Sequence, residues 1–320
     1  MLVLVAPGQG SQAPGFLKPW LDLPGSEDRL RAWSEIVGID LIHYGTEADA
    51  EAIRDTAVAQ PLLVAGALLS ARALFDDPAL PPPAEAIGAV AGHSVGELAA
   101  AALAGVLSEE DAMVLVRRRA EAMAEAAAVT ETGMAAVLGG DPRAVAARLE
   151  ELGLTAANNN GGGQIVAAGT AEQLAALAAD KPEKAKVIAL KVAGAFHTHH
   201  MAPAVAAMEE AAKNVAAATP SVRYVSNADG GVVDEGDEVL RRLVSQVSSP
   251  VRWDLCMETF QRLGATAFVE LCPAGTLTAL AKRNLPGVAP VAVKSPDKLP
   301  EARELIARAL GQSAPAPEEH

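Results

Sequence analysis

The chain is predicted to be an α/β protein: a doubly wound domain built on a parallel sheet, interrupted by a smaller unit of its own. Three observations lead there. Short apolar runs bounded by glycine alternate with longer Ala-rich stretches in the first and last thirds, the signature of strands buried on both faces by helices. A Gly-His-Ser-Val-Gly turn, Gly92–Gly96, joins one such run to a helical stretch. The middle third changes to short β-α-β-α-β elements, resembling a small ferredoxin-like unit.

In order, Leu2–Ala6 reads as a first strand running straight into the loop Pro7–Gln12. Ala57–Phe75 is long, apolar and Ala-rich with Pro61 near its start, a buried helix. Pro78–Pro83 breaks it, and Ala86–Gly92 is a short buried strand. Val95–Leu107 follows as a helix; Ser108 caps another whose first turn carries Glu109, Glu110 and Asp111 at its positive end. In the insert, strands are expected at Met134–Leu138, Gln164–Ala168 and Val187–Val192, with helices at Asp141–Leu152 and Ala171–Ala179. Hinges fall near Thr130–Gly133 and Gly194. Helices at Met201–Ala218, Val239–Gln246, Leu255–Leu263 and Leu277–Asn284 and strands at Val222–Ser226, Ala267–Leu271 and Ala289–Val293 complete the large unit before a last helix ending near Leu310. The expected division is 1–130 with 195–310, an insert 131–194, and a polar, Pro-rich flexible tail 311–320, with a cleft between the two units.

Composition bounds the function. Half of the 320 residues are hydrophobic and the formal net charge is −14, which argues against nucleic acid or an anionic membrane surface as main partner. Two cysteines, Cys256 and Cys272, make neither a disulfide framework nor a paired metal site. The opening apolar run is too short for a signal peptide or a membrane span, so a reducing cytoplasm is expected.

Gly92–Gly96 fits G-x-S-x-G in the strand-to-helix context that the chemistry needs. A tight turn lifts the Ser94 hydroxyl out of the sheet, glycines permit the backbone, and the next N–H sits at a positive helix end. The large unit is therefore expected to be α/β-hydrolase-like. Serine needs a base. Of six histidines, His93 is expected to point away from the nucleophile, His43 to lie in a polar loop and His320 to end the tail. That leaves Phe196-His197-Thr198-His199-His200, which could also be a surface cluster or a metal site, although no cysteine or carboxylate stands nearby to complete one. A hydrolase would place its histidine near the C-terminus. Here it follows Ser94 by about a hundred residues, across the insert. The elbow looks like a hydrolase; the base does not.

The motifs Pro7–Gln12 (PGQGSQ), Gly92–Glu97 (GHSVGE), Gly194–Met201 (GAFHTHHM) and Ser249–Trp253 (SPVRW), with Asn158-x-Asn160 followed by Gln164 and the run Val269–Leu280, together resemble the malonyl-CoA:acyl carrier protein transacylase family from Val5 to about Arg283. The resemblance implies Ser94 as acylated nucleophile and His197 as its base, with the imidazole oriented by the backbone carbonyl of Gln246 rather than by an acid. It implies an oxyanion hole from the N–H groups of Val95 and Gln9. Arg119 falls at the substrate arginine, whose planar fork suits a malonyl carboxylate; Arg117 and Arg118 are expected on a solvated face with Glu121. Phe196, just before the histidine, would fill the space of an α-methyl group or simply pack in the core. Asn158 and Asn160 would line the substrate site. Implied partners are malonyl-CoA and a phosphopantetheine-bearing acyl carrier protein, docking on a basic rim drawn from Lys181, Lys184, Lys186, Lys191, Lys282 and Arg283. No metal or cofactor is called for, and a monomer suffices. Val95, Ala120, Gly161–Gly163 and Cys272 depart from the family pattern without removing a reacting group. The rivals are a serine hydrolase on the same elbow and a non-enzymatic carboxylate-binding module.

Overall fold

The computed structural model describes residues 1–311; residues 312–320, which include His320 and nearly all of the expected tail, lie outside the described residues. Eleven strands among the described residues form two sheets. β1 (Leu2–Ala6) and β2 (Ala89–Gly92) pair in parallel at the centre of the first. Four strands of the second sheet follow: β3 (Thr132–Gly139), β4 (Thr155–Asn159), β5 (Gln164–Thr170) and β6 (Ala185–Ala189). The chain then returns through β7 (Arg223–Val225), β8 (Val232–Val233), β9 (Val251–Arg252), β10 (Ala267–Glu270) and β11 (Ala289–Ala292).

The first sheet runs β11-β10-β1-β2-β7-β8, parallel except for β8. β1 and β2 are buried at every position, which is why both read as unbroken apolar runs rather than alternating ones. Strands succeed one another outward on one side of β1 and later on the other, the doubly wound arrangement expected. The chain order reverses beside β1, so the loops after β1 and β2 open on a crevice there. One face of this sheet packs on the helix Thr56–Phe75, which is long and apolar enough to cross a membrane but whose most apolar window is 83% buried, as in a core helix.

The second sheet, β6-β3-β5-β4-β9, has antiparallel pairs from β6 to β4 with the helices Pro142–Glu151 and Ala171–Ala179 against it, a ferredoxin-like layout. β9 adds a parallel edge to β4 from far along the chain. β4 was not expected: its sequence TAANN has no β-branched residue after the first, so only pairing with β5 and β9 makes it a strand. β6 lies at Ala185–Ala189 rather than at 187–192, because its pairing with β3 begins at Gly139↔Ala185 and ends at Ala135↔Ala189.

Other differences have local causes. Gly105, at φ 75°, ends the helix Gly96–Leu103 earlier than expected. Pro83–Ala86 is a helical turn, so β2 starts only at Ala89. The helix Ser26–Val37 was unpredicted; it starts on Gly25 with no capping side chain to announce it. His43 lies in the helix Leu41–Thr46 rather than in a loop, because Asp40 caps that helix by accepting from the His43 N–H.

The β2 turn leaves no room for side chains at its ends. A Cβ on Gly92 would lie 1.9 Å from the Gly96 carbonyl carbon, and one on Gly96 would lie 2.3 Å from the Ala6 oxygen. Gly92→Ala is therefore expected to destabilise the protein by about 3 kcal/mol or more, since backbone rather than a flexible side chain must move. Urea denaturation against the wild type measures it.

Candidate active site

Ser94 sits at φ 54°, a left-handed conformation that a non-glycine residue adopts only when its surroundings enforce it. Asn227, just after β7, supplies the enforcement. Its Oδ1 accepts the Ser94 N–H at 2.8 Å and its Nδ2 donates to the Gly92 carbonyl at 2.7 Å. The side chain spans the elbow and pins both of its arms.

The His197 loop follows β6, and the residue is itself at φ 61°. Its N–H donates to the Val247 carbonyl at 3.2 Å, and the Thr198 hydroxyl donates to the Ala195 carbonyl at 2.7 Å. The imidazole Nδ1 lies 2.9 Å from the Gln246 main-chain oxygen, which can only accept. Nδ1 therefore carries the proton, and Nε2 presents its lone pair to the Ser94 hydroxyl at 2.7 Å. Burial, then the neighbouring Arg119 cation, push the His197 pKa down to about 3, so the ring is a neutral acceptor at neutral pH.

Arg119 reaches the same hydroxyl from the helix Glu109–Val129. Its side chain is almost wholly enclosed, and Nη2 donates to Ser94 Oγ at 3.3 Å and to Gln246 Oε1 at 2.8 Å. Nη1 donates to Gln60 Oε1 at 2.6 Å. Burial lowers its pKa to about 10, which still leaves it charged at neutral pH. Arg117 and Arg118 behave differently, pairing with Glu121 at 3.0 Å on the exposed face.

Ser94, His197, Arg119 and Gln60 line one cavity of about 240 Å³ between the two sheets. Gln9 and Val95 border it, and among the described residues neither N–H has a hydrogen-bond acceptor. Phe196, Asn158 and Asn160 also line the cavity, each 6% exposed. His93 lines it too, but its ring points away from the nucleophile, as expected. Its Nε2 is tied to Asn160 Oδ1 at 2.9 Å, which turns the ring from Ser94 toward β4 and leaves His197 as the base-shaped neighbour. No cluster of three or more metal-ligating side chains occurs among the described residues.

A serine hydroxyl between a neutral imidazole and a buried guanidinium, in a cavity bordered by two N–H groups without acceptors, is an arrangement that can support acyl transfer. The model of the acyl transferase domain matches residues 3–296. The chain belongs to the acyl transferase family. The Mycobacterium tuberculosis malonyl CoA-acyl carrier protein transacylase is 52% identical over 305 residues, covering 95% of this chain and all of that one. The Bacillus subtilis protein of the same name is 32% identical, covering 93% of this chain and 95% of its own. Among solved structures, that of MCAT from Mycobacterium tuberculosis superposes with a TM-score of 0.91 at 51% identity, over 95% of this chain and 99% of that one. An acyl-carrier-protein S-malonyltransferase from Burkholderia pseudomallei gives 0.88 at 33%, with 95% and 99% covered.

Sequence reasoning missed three residues that this acyl transferase site uses. Gln60 is the lone amide in a helix that is otherwise apolar around it, which was its signal. Glu97 stands one turn after Ser94 inside a recognised motif. Asn227 gave none, since nothing local marks a residue 133 positions from its partner.

His197 also governs stability against pH. Its folded pKa lies below the ordinary value of 6.5, so the unfolded chain takes up a proton that the folded one refuses. Stability attributable to His197 is complete above that ordinary value and falls as pH drops toward about 3. Glu97, pushed up to about 7 by burial, works in the opposite sense between its ordinary 4.5 and that value. In His197→Ala the first effect vanishes. Relative to wild type, the variant should gain stability by up to about 1.4 kcal/mol per pH unit below about pH 6.5. Urea denaturation at a series of pH values measures the difference.

Proposed function

We propose that the chain is a malonyl-CoA:acyl carrier protein S-malonyltransferase working by a ping-pong route through a malonyl ester of Ser94. Ser94 Oγ attacks the thioester carbonyl while His197 Nε2 takes its proton. The oxyanion is received by the N–H groups of Val95 and Gln9; losing one such donor typically costs about 3–4 kcal/mol of barrier. Collapse expels CoA as its thiol, protonated by His197. The phosphopantetheine thiol of the carrier then repeats the sequence in the other direction, and Ser94 is regenerated. Nucleophile and base come from the chain itself, so no step calls on a metal or cofactor. The monomer, in the cytoplasm, suffices for this chemistry. Within this reading residues 1–130 and 195–310 form the catalytic unit and 131–194 the insert that closes the cleft.

The observation that carries the substrate is the contact of the Arg119 guanidinium with the nucleophile, 3.3 Å from Ser94 Oγ. A carboxylate two bonds beyond an ester carbonyl on Ser94 falls within reach of that guanidinium. Without it, a malonate tail would be an unpaired anion in an enclosed cleft, which is prohibitively costly. A simple hydrolase or thioesterase of neutral acyl groups has no use for the cation. Asn158 and Asn160 add polar lining, and the exposed Lys191, next to the cavity-lining Leu190, fits the basic rim for an acidic carrier.

Intact-protein mass spectrometry after incubation with malonyl-CoA provides the test. Wild type should show a persistent malonyl adduct, absent in Ser94→Ala; rapid hydrolysis would favour the hydrolase and no adduct at all a binding module. Arg119→Ala should reduce malonyl transfer by about 2–5 kcal/mol, at least about thirtyfold, while acetyl loading survives. Unchanged malonyl kinetics would remove the clamp. Phe196→Ala should raise transfer of methylmalonyl relative to malonyl by about 10- to 200-fold if its ring excludes the methyl group. Competition between the two thioesters gives the ratio.

A further inference from the structure

Glu97 takes no part in the chemistry above, yet it lies at the centre of the hydrogen bonds that hold the site. It occupies the first turn of the helix Gly96–Leu103, 1% exposed. Oε1 accepts the Asn227 N–H at 2.7 Å, and Oε2 accepts from Gln246 Nε2. Each of those partners continues inward. Asn227 spans the elbow through Ser94 and Gly92. Gln246 donates to the Ser94 carbonyl at 3.0 Å and accepts from Arg119 Nη2, while its main-chain oxygen orients His197. A carboxylate can satisfy both donors at once, which an amide in its place cannot, since one of its two ends is itself a donor.

The charge matters as much as the geometry. Arg119 hydrogen-bonds only to the neutral acceptors of Gln60, Gln246 and Ser94 among the described residues, and Glu97 is the carboxylate whose field reaches it. We propose that Glu97 is a positioning residue: it holds Gln246, Arg119 and the Ser94 elbow in one register and is the resting counter-charge that a substrate carboxylate takes over. This rests on the malonyl reading above.

The takeover has a thermodynamic consequence. The titratable and charged groups around Glu97 are Arg119, Tyr224 of β7, Cys256 on the helix Trp253–Arg262, and Arg242 and Arg252, which share a second cavity of about 360 Å³ with Glu97. Burial holds the Glu97 pKa up at about 7, against the pull of its hydrogen bonds and of Arg119. A malonyl carboxylate placed on Arg119 adds an anion beside it and offsets that pull, so the malonyl enzyme binds a proton more readily than the free enzyme. Malonyl loading should strengthen as pH falls toward neutrality, levelling off below. An acetyl group carries no carboxylate and should not share this dependence. The thiol released is CoA in both cases, so the ratio of the two loading constants cancels its ionisation.

The experiment measures that ratio from about pH 6 to about pH 8.5 by mass spectrometry of the acylated full chain, for wild type, Glu97→Gln and Glu97→Asp. In wild type the malonyl-to-acetyl ratio should rise by up to about tenfold per unit of acidification across the titration. Glu97→Gln should flatten it and lower kcat for malonyl transfer by about 100-fold without raising KM for malonyl-CoA, as expected of misplaced reacting groups beside a guanidinium that has lost its resting anion. Glu97→Asp, if the amide variant fails to fold, should keep the slope and lose kcat. A wild-type ratio independent of pH, or Glu97→Gln with the wild-type slope or wild-type kcat, overturns the assignment. Failure of wild-type Ser94 to take any malonyl group would instead overturn the substrate reading beneath it.

Discussion

A guanidinium sealed from water beside a nucleophile sets the terms for this site. An ion stripped of its hydration costs several kcal/mol unless hydrogen bonds and opposite charge replace the lost water. Arg119 is met by the Gln60 and Gln246 amide oxygens and by the Ser94 hydroxyl, and none of these cancels its charge. Three chain segments widely separated in sequence must therefore converge on it before it can be buried. That convergence also delivers the imidazole, because the residue whose amide accepts from Arg119 offers its main-chain oxygen to His197. Arg119 and His197 share one partner, Gln246.

The elbow meets a second constraint, which is steric. Ser94 projects from the sheet only because Gly92 and Gly96 let the end of β2 and the start of the next helix approach to backbone contact. The left-handed residue between them is costly by itself, of order 1–3 kcal/mol, and Asn227 offsets that cost by bonding the elbow on both sides. The same turn brings Val95, whose N–H has no acceptor among the described residues, to the start of the next helix at the edge of the cavity.

Legibility from sequence followed locality. The strand Leu2–Ala6 and the helix Ala171–Ala179 were bounded to the residue, because sharp apolar runs and a Thr170 capping box mark their ends. The helix Ser26–Val37 buries Leu30, Trp33 and Val37 at helical spacing, but it begins on a glycine at φ 74° with no capping side chain. β4 is a strand only by virtue of its neighbours. In the site, Ser94, His197 and Arg119 were found through motifs with a recognised order, and the structure brings them together. Asn227 was not found, for its role exists only once β7 lies beside β2. The direction of the His93 ring depends on Asn160, a contact across the two sheets that no local rule encodes.

The same electrostatics explain why the imidazole is held by a carbonyl and not by an acid. In a Ser-His-Asp arrangement the carboxylate stabilises the imidazolium that forms as the serine attacks. Here the acyl group is to bring a carboxylate of its own to a guanidinium that Glu97 already neutralises in part, and a further one behind His197 would compete for it. The Gln246 carbonyl fixes the tautomer and the ring plane without adding charge. Its weaker support for the cationic ring fits the low basicity of His197, which burial and Arg119 both enforce. A weakly basic imidazole keeps its lone pair for the Ser94 proton even in acid, and it returns that proton readily to a departing thiolate. For a reaction that exchanges one thioester for another, with little driving force either way, a base that does not retain the proton gives it back readily in both directions.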